Sequence, residues 1–276
     1  MTAAAAARMP DETGTLAVVI TRSPIAPLNG ESRISSPQVS QSLGGHPLRV
    51  LAEAGDWLRV RGLDDYEGWI NRGYTSALPP AEDGMPVRID DEWLEERRVS
   101  LGCAVRGTDG IRRPLPLGAL IDATQQVESG TALPYAELRR RFERDPRAIV
   151  KTALERFEGT PYEWGGVSPW GADCSGFVQS VYRLHGVRLP RDASQQAGEG
   201  RDAGTSIEDA EAGDLLFFSE REDGRITHVG IALGESRMVH LGLGRGGYAV
   251  EKLDAAADDY IEGLVKRFRF ARRVAA

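Results

Sequence analysis

Cys174 stands in the run Gly171-Ala172-Asp173-Cys174-Ser175-Gly176-Phe177, among neighbours small enough to leave a sulfur open to a substrate. Behind it, Phe177, Val181 and Leu184 recur at helical spacing, and Gly186 closes the pattern. A helix is therefore predicted to begin at or just before Cys174. A thiol there would feel the positive end of the helix macrodipole, which favours thiolate and hence nucleophilic attack. The plainer alternative is a small buried hydrophobe, the commonest fate of a free cysteine. Two histidines tip the balance. His228 opens the apolar run Val229-Gly230-Ile231-Ala232-Leu233, and His240 lies in Met238-Val239-His240-Leu241, beyond the turn Gly234-Glu235-Ser236. Strands joined by so short a turn are neighbours, so the two imidazoles can meet. A thiol, a base and a group that fixes the base's tautomer are what a thiol hydrolase needs. Zinc held by Cys174, His228 and His240 is the competing chemistry, but the short ligand spacings of most such sites are missing. His46 and His185 fall in a turn and near a helix end, where surface or capping roles suffice.

The elements that must carry these residues can be read in outline. From Pro134 the texture is helical: Tyr135, Leu138 and Phe142, then Ile149, Val150, Ala153, Leu154 and Phe157, broken at Asp145-Pro146. Leu215–Phe218 reads as a buried strand after Gly213-Asp214, and residues 262–273 as a strand-like end whose basic residues form a solvated face. Residues 15–80 read as short strands: Leu16–Ile20, Leu48–Leu51 and Trp57–Arg61, with Gly55-Asp56 as a hairpin turn and Glu67-Gly68-Trp69-Ile70 following. At least one of Trp57 and Trp69 is expected to supply barrel core. Pro79–Gly84 is a linker by composition. Beyond it Val99, Leu101, Cys103 and Val105 alternate as a strand with one buried face, which makes Cys103 a core residue.

The bulk properties narrow the classes. At 41% hydrophobic and 27% charged, the 276-residue chain is globular, with room for two or three domains. A net charge of −7 leaves nothing to neutralise phosphates, which excludes a nucleic-acid partner. No stretch is long and apolar enough to span a membrane, and the alanine-rich start reads as a frayed end, not as a signal peptide. Two cysteines make no disulfide framework, and bridging them would consume the nucleophile. A reducing, cytoplasmic setting fits.

Five segments, in order, resemble the NlpC/P60 cysteine peptidases. They are Thr160–Gly166, Asp173–Phe177, Leu189–Asp192, Gly213–Phe218 and His228–Ile231, within about residues 147 to 260. Gly55, Asp56, Trp57, Gly68, Trp69 and Ile70 resemble a bacterial SH3 domain. Together they resemble the γ-D-glutamyl-L-diamino acid endopeptidases that carry N-terminal SH3 domains. The resemblance implies an α+β architecture: a papain-like catalytic domain over 147–276, after an SH3-like barrel over 1–80 and a degenerate second one with its linker over 81–146. It implies Cys174 as nucleophile, His228 as general base, His240 as its orienting partner and Tyr162 as an oxyanion donor. A packing role under the glycine turn is the alternative for Tyr162. Asp192 matches an acid that meets the free α-amine of the substrate's L-Ala. Asp173 and Ser175 flank the nucleophile and are expected to touch the peptide. Glu31 and Tyr66 are the best positional matches for an acid and a tyrosine that the first barrel lends to the amine end. Ala193 departs from relatives with Ser after Arg-Asp, a contact that Ser194 could supply.

The implied reaction is hydrolysis of the γ-D-Glu–diamino acid bond in murein stem peptides with a free N-terminal L-Ala, during peptidoglycan recycling. No cofactor or metal, no membrane and a monomer are expected. Diaminopimelate and lysine both stay open as the residue after the scissile bond. A thiol amidase or acyltransferase on the same core, and a non-catalytic wall-peptide binding protein, are the alternatives.

Overall fold

Alternation of apolar and polar residues over 57–61 and 67–71 produces two paired strands with one face inward, and the N-terminal region grows from them. The computed structural model describes residues 15–80, 84–254 and 258–274. The N-terminal reading over 1–14 and part of the linker lie outside these. The chain forms two compact units, Met1–Tyr135 and Ala136–Ala276.

In the first unit, β1 (Ala17–Thr21), β2 (Ile25–Asn29), β3 (Gln38–Leu43), β4 (Pro47–Ala54), β5 (Trp57–Arg61), β6 (Glu67–Asn71) and β7 (Thr75–Ala77) form an antiparallel sheet. Its order is β3-β2-β6-β5-β4-β1-β7. Val19, Leu28, Leu48, Val50, Leu58, Val60 and Ile70 fill its core. Trp57 and Trp69 correct the expectation: both are half-buried, on the face opposite Leu58, Val60 and Ile70, with Trp69 paired across to Arg59. The period of two that buries Ile70 turns its neighbour outward. β2 and β3 escape a hydrophobicity reading because one contains Pro27 and the other is mostly polar. Ser42 of β3 is nevertheless buried and bonded to Thr21 at 2.7 Å.

After a short helix, α1 (Asp91–Glu95), comes a second sheet of β8 (Arg98–Arg106), β9 (Arg112–Leu115), β10 (Leu120–Ile121) and β11 (Gln126–Pro134). β8 is its hub, pairing with all three others. Cys103 is buried as expected, but so are Ser100 and Ala104. β8 is thus covered on both faces, not one. His46 is also buried and bonds the Gly118 carbonyl at 2.9 Å, so it is no surface residue.

The second unit opens with α2 (Leu138–Arg141) and α3 (Pro146–Phe157), divided at Asp145, whose side chain caps α3 while Pro146 occupies its first turn. A small hairpin, β12 (Val167–Ser168) and β13 (Gly171–Ala172), leads into α4 (Cys174–Leu184) and α5 (Ala193–Gln196). The remaining strands are β14 (Arg201–Asp202), β15 (Leu215–Phe218), β16 (His228–Gly234), β17 (Arg237–Gly242) and β18 (Gly247–Lys252). After α6 (Asp259–Arg267) the chain closes with β19 (Phe268–Arg273). The sheet runs β14-β19-β15-β16-β17-β18. α4 lies against β16 and β17. Leu264 of α6 joins Leu216, Phe218, Ala232, Met238 and Ala271 in one cluster, while Leu215, Phe217, Val229, Ile231, Val239 and Leu241 are also buried.

Two readings change here. Residues 262–267 are helix, not strand: Asp258 caps them, Asp259 and Glu262 sit at the N-terminal end and Lys266 and Arg267 at the C-terminal end, as a macrodipole prefers. Nor are the terminal basic residues simply solvated, because Arg273 forks onto the buried Asp214 carboxylate at 2.7 and 2.8 Å. His185 is the C-cap of α4, the capping role expected of it, and is buried, held by the Glu143 carbonyl and the Thr152 hydroxyl.

Candidate active site

Cys174 is the first residue of α4, and Asp173 is its N-cap. One Asp173 oxygen accepts from the Gly176 amide at 2.7 Å, the Ser175 hydroxyl at 3.2 Å and Arg191 at 3.0 Å. The other accepts from the Gly165 amide at 2.9 Å and Arg191 at 2.7 Å. Arg191 is fully buried and also donates to Ser175 Oγ at 3.0 Å. The turn Gly165-Gly166 is thereby pressed onto the helix start. A Cβ on Gly176 would stand 2.0 Å from the Gly166 carbonyl oxygen, which is why position 176 carries none.

The electrostatics overturn the expectation of a resting thiolate. Burial pushes the Cys174 thiol up to about 12, and the Asp173 charge adds to it. The Val229 and Ser175 amides and the Arg191 guanidinium pull the other way without winning. The helix end does favour an anion, but its cap is itself a full negative charge, and desolvation is the larger effect. Burial above all, then the neighbouring Cys174 and the Asp173 carboxylate, raise the Tyr162 phenol as well, so it remains an O–H donor. Tyr162 is fixed beside the nucleophile segment: its amide donates to the Gly246 carbonyl at 2.9 Å, and it bridges to Ala172.

The base pair comes from the β16–β17 hairpin. His228 Nε2 and His240 Nδ1 are 2.8 Å apart, with the rings edge to face. A Cβ on Gly242 would lie 2.8 Å from His240 Cε1, so glycine there makes the room in which that ring lies. His228 precedes Val229, whose amide faces the sulfur, so the backbone leads from the thiol directly to the base. Burial first, then His240 and Arg267, hold the His228 ring down to about 3, and it rests neutral. Because Nε2 is engaged with His240, Nδ1 is the nitrogen left to take a proton.

The other expected residues are placed as follows. Asp192 heads α5, where its amide donates to Gln195 Oε1 at 3.2 Å and its side chain is half-buried. Asp173 and Ser175 were expected at the peptide, but the structure spends their side chains on Arg191 and on each other. They shape the loop from behind. Glu31 and Tyr66 belong to the N-terminal unit, where Glu31 is exposed and pairs with Arg33 at 2.8 Å and Tyr66 is half-buried. Two residues escaped the sequence reading. Arg191 was in view within Leu189-Pro190-Arg191-Asp192, yet nothing local said that it would be buried against Asp173. Glu251 lies on β18, a strand with too little apolar alternation to stand out. Its Oε1 is 4.0 Å from His240 Nε2, and Arg245 holds it at 2.7 Å. Among the described residues, no three His, Cys, Asp or Glu side chains are grouped to hold a metal ion, and no helix is long and apolar enough to cross a membrane.

Comparison with known proteins places the chain among relatives. The model of the NlpC/P60 family matches residues 159–259, and that of the bacterial SH3 domain matches 31–76. A γ-D-glutamyl-L-lysine dipeptidyl-peptidase of Bacillus subtilis (strain 168) is 48% identical over 221 residues, 73% of this chain and 71% of that protein. One of the same name from Bacillus cereus (strain ATCC 10987 / NRS 248) is 36% identical over 226 residues, 73% of this chain and 66% of that protein. The crystal structure of an NlpC/P60 family protein from Bacillus cereus ATCC 10987 superposes with a TM-score of 0.72 at 17% identity, covering 94% of this chain and all of the other. That last likeness is one of fold.

Proposed function

The chain belongs to the NlpC/P60 family, and from that membership we propose that it is a cysteine peptidase acting on the γ-D-glutamyl–diamino acid bond of murein peptides. The observation that carries the proposal is the 2.8 Å bond between His228 and His240, at the strand whose Val229 amide faces the thiol of Cys174.

The protonated thiol and neutral imidazole set the order of events. His228 Nδ1 takes the Sγ proton as the sulfur attacks the γ-carbonyl carbon of D-Glu. The C–S bond forms, and the oxyanion is met by the Tyr162 hydroxyl and the Cys174 backbone N–H, each worth about 3 kcal/mol by general experience. The C–N bond then breaks as the imidazolium of His228 protonates the leaving amine. Water, giving its proton to His228, attacks the thioester and releases L-Ala-γ-D-Glu, and the sulfur recovers its proton.

Asp192 is proposed to pair with the free α-amine of L-Ala. An N-acylated peptide would offer that carboxylate no cation. For Glu31 and Tyr66 as further contacts, the support is the positional match alone. A demand for a free amine points to peptides already released from glycan. A cytoplasmic recycling role suits this, and the two free cysteines are compatible with a reducing setting.

Mass spectrometry of products from L-Ala-γ-D-Glu-lysine, its diaminopimelate counterpart and the N-acetylated forms tests the proposal. Release of the diamino acid from free-amine peptides alone is expected. Cleavage at another bond would overturn the substrate, and equal cutting of the acetylated forms would overturn the role of Asp192.

A further inference from the structure

We infer that Glu251 is a positioning residue of this reaction, whose carboxylate fixes His240 in the tautomer that leaves His228 free to accept the thiol proton. This rests on the reading of Cys174, His228 and His240 as the reacting set.

The single bond between His228 Nε2 and His240 Nδ1 can carry its proton on either side. If it sits on His228 Nε2, His228 Nδ1 is a bare acceptor and can serve as base. If it sits on His240 Nδ1, the neutral His228 must carry its own proton on Nδ1, the nitrogen needed as base, and no base exists. The pair itself does not choose between these states. The choice falls to the far nitrogen of His240, which is protonated in the first state and bare in the second.

That far nitrogen is fully buried and has no hydrogen-bond partner among the described residues. The carboxylate ion-paired with it by proximity is Glu251, at 4.0 Å. β17 and β18 pair Met238 with Glu251 and His240 with Ala249, so Glu251 shares a face with His240, two residues along. A carboxylate repels a bare nitrogen lone pair and attracts an N–H, which selects the productive state. A shift of about 1 Å would turn the approach into a full hydrogen bond. Glu251 is itself held: Arg245 donates to it at 2.7 Å, Asp258 holds Arg245 at 2.8 Å, and Arg245 stacks on Tyr260, whose ring is 6.4 Å from that of His240. The chain Asp258–Arg245–Glu251–His240–His228 thus runs from the surface to the base. When His228 becomes imidazolium, the carboxylate also stabilises the positive charge through His240. No proton needs to reach Glu251.

The test uses full-length protein labelled with 15N at histidine. Resonances of His240 are assigned by their loss in His240→Gln. In the unaltered protein at neutral pH, His240 is expected to be protonated on Nε2 and bare on Nδ1. Protonation on Nδ1 would overturn the inference without any variant having to fold. In Glu251→Gln the amide can accept or donate, so the bias is lost and both tautomers should appear. kcat should then drop about 10- to 100-fold with KM nearly unchanged, as when a supporting partner behind a working imidazole is removed. Glu251→Asp, which keeps the charge, should recover part of the loss. An unchanged tautomer in Glu251→Gln would overturn the inference. The two readings fail separately: if His240 is protonated on Nε2 but no murein peptide is cut, the substrate assignment falls and the role of Glu251 stands.

Discussion

The carboxylate of Asp173 is met by Gly165, Ser175, Gly176 and two nitrogens of Arg191, whereas His240, just as deeply buried, bonds His228 through one nitrogen and leaves the other without a bond among the described residues. Both are polar groups of one site, yet they are treated oppositely. The nucleophile's loop is over-determined: cap, ion pair and glycine contact all fix the same helix start. The imidazole pair is held by few bonds: His228 must keep Nδ1 vacant for the thiol proton, and Glu251 acts on His240 through its charge at 4.0 Å. A rigid support and an under-bonded relay divide the work of positioning and of chemistry.

Substitutions test this contrast. The largest effect is expected for Cys174→Ala, which should abolish peptide cleavage while the protein stays folded; product release by that variant would refute the mechanism. Next is Arg191→Met, which leaves Asp173 charged and buried without its cation. A loss of about 3–5 kcal/mol in denaturant unfolding is expected, since breaking one side of a buried pair is costly. His240→Gln, on the relay side, should cost activity and little stability. Equal destabilisation by the two would erase the distinction between support and relay. Tyr162→Phe should lower kcat about 100-fold with KM nearly constant, the usual result of losing one oxyanion donor. A rise in KM alone would make Tyr162 a packing residue.

The pH effects have opposite signs at the two ends of the scale. His228 is held at about 3, below its ordinary 6.5, so the fold prefers the neutral ring. Its contribution to stability is present above pH 6.5 and fades as pH falls towards 3. Cys174 is raised from 9.0 to about 12, so its contribution is present below pH 9 and fades as pH climbs towards 12. His228→Gln should therefore lose less stability in acid than the unaltered protein, and Cys174→Ala less in alkali. Parallel unfolding curves would contradict both. The same raised thiol predicts that alkylation by a neutral haloacetamide keeps accelerating past pH 8 instead of levelling off in acid.

What could be read in advance follows from how far each signal travels along the chain. The start of α4, the stop at Gly186 and the β16–β17 turn are local, carried by spacing, glycine and strand pattern, and they appear where expected. As one run, residues 262–273 look like a strand, because Asp258, the cap that announces the helix, lies before them. Residue type suggests core for at least one of Trp57 and Trp69, whereas the alternation of their own strands points both outward. Arg191 and Glu251 gave no local sign. A basic residue in a loop and an acid on a weak strand look like surface until the partner that buries each is known.

The order of residues along the chain determined that a helix begins at Cys174 and that His228 and His240 sit on adjacent strands, because hydrogen-bond periodicity and tight turns act over a few residues. Only the tertiary structure decided the charge states and the supporting cast: a neutral thiol, a neutral imidazole, Arg191 behind Asp173 and Glu251 behind His240. Those depend on desolvation and on Coulomb interactions between groups far apart in sequence, which exist only once folding has removed the water between them.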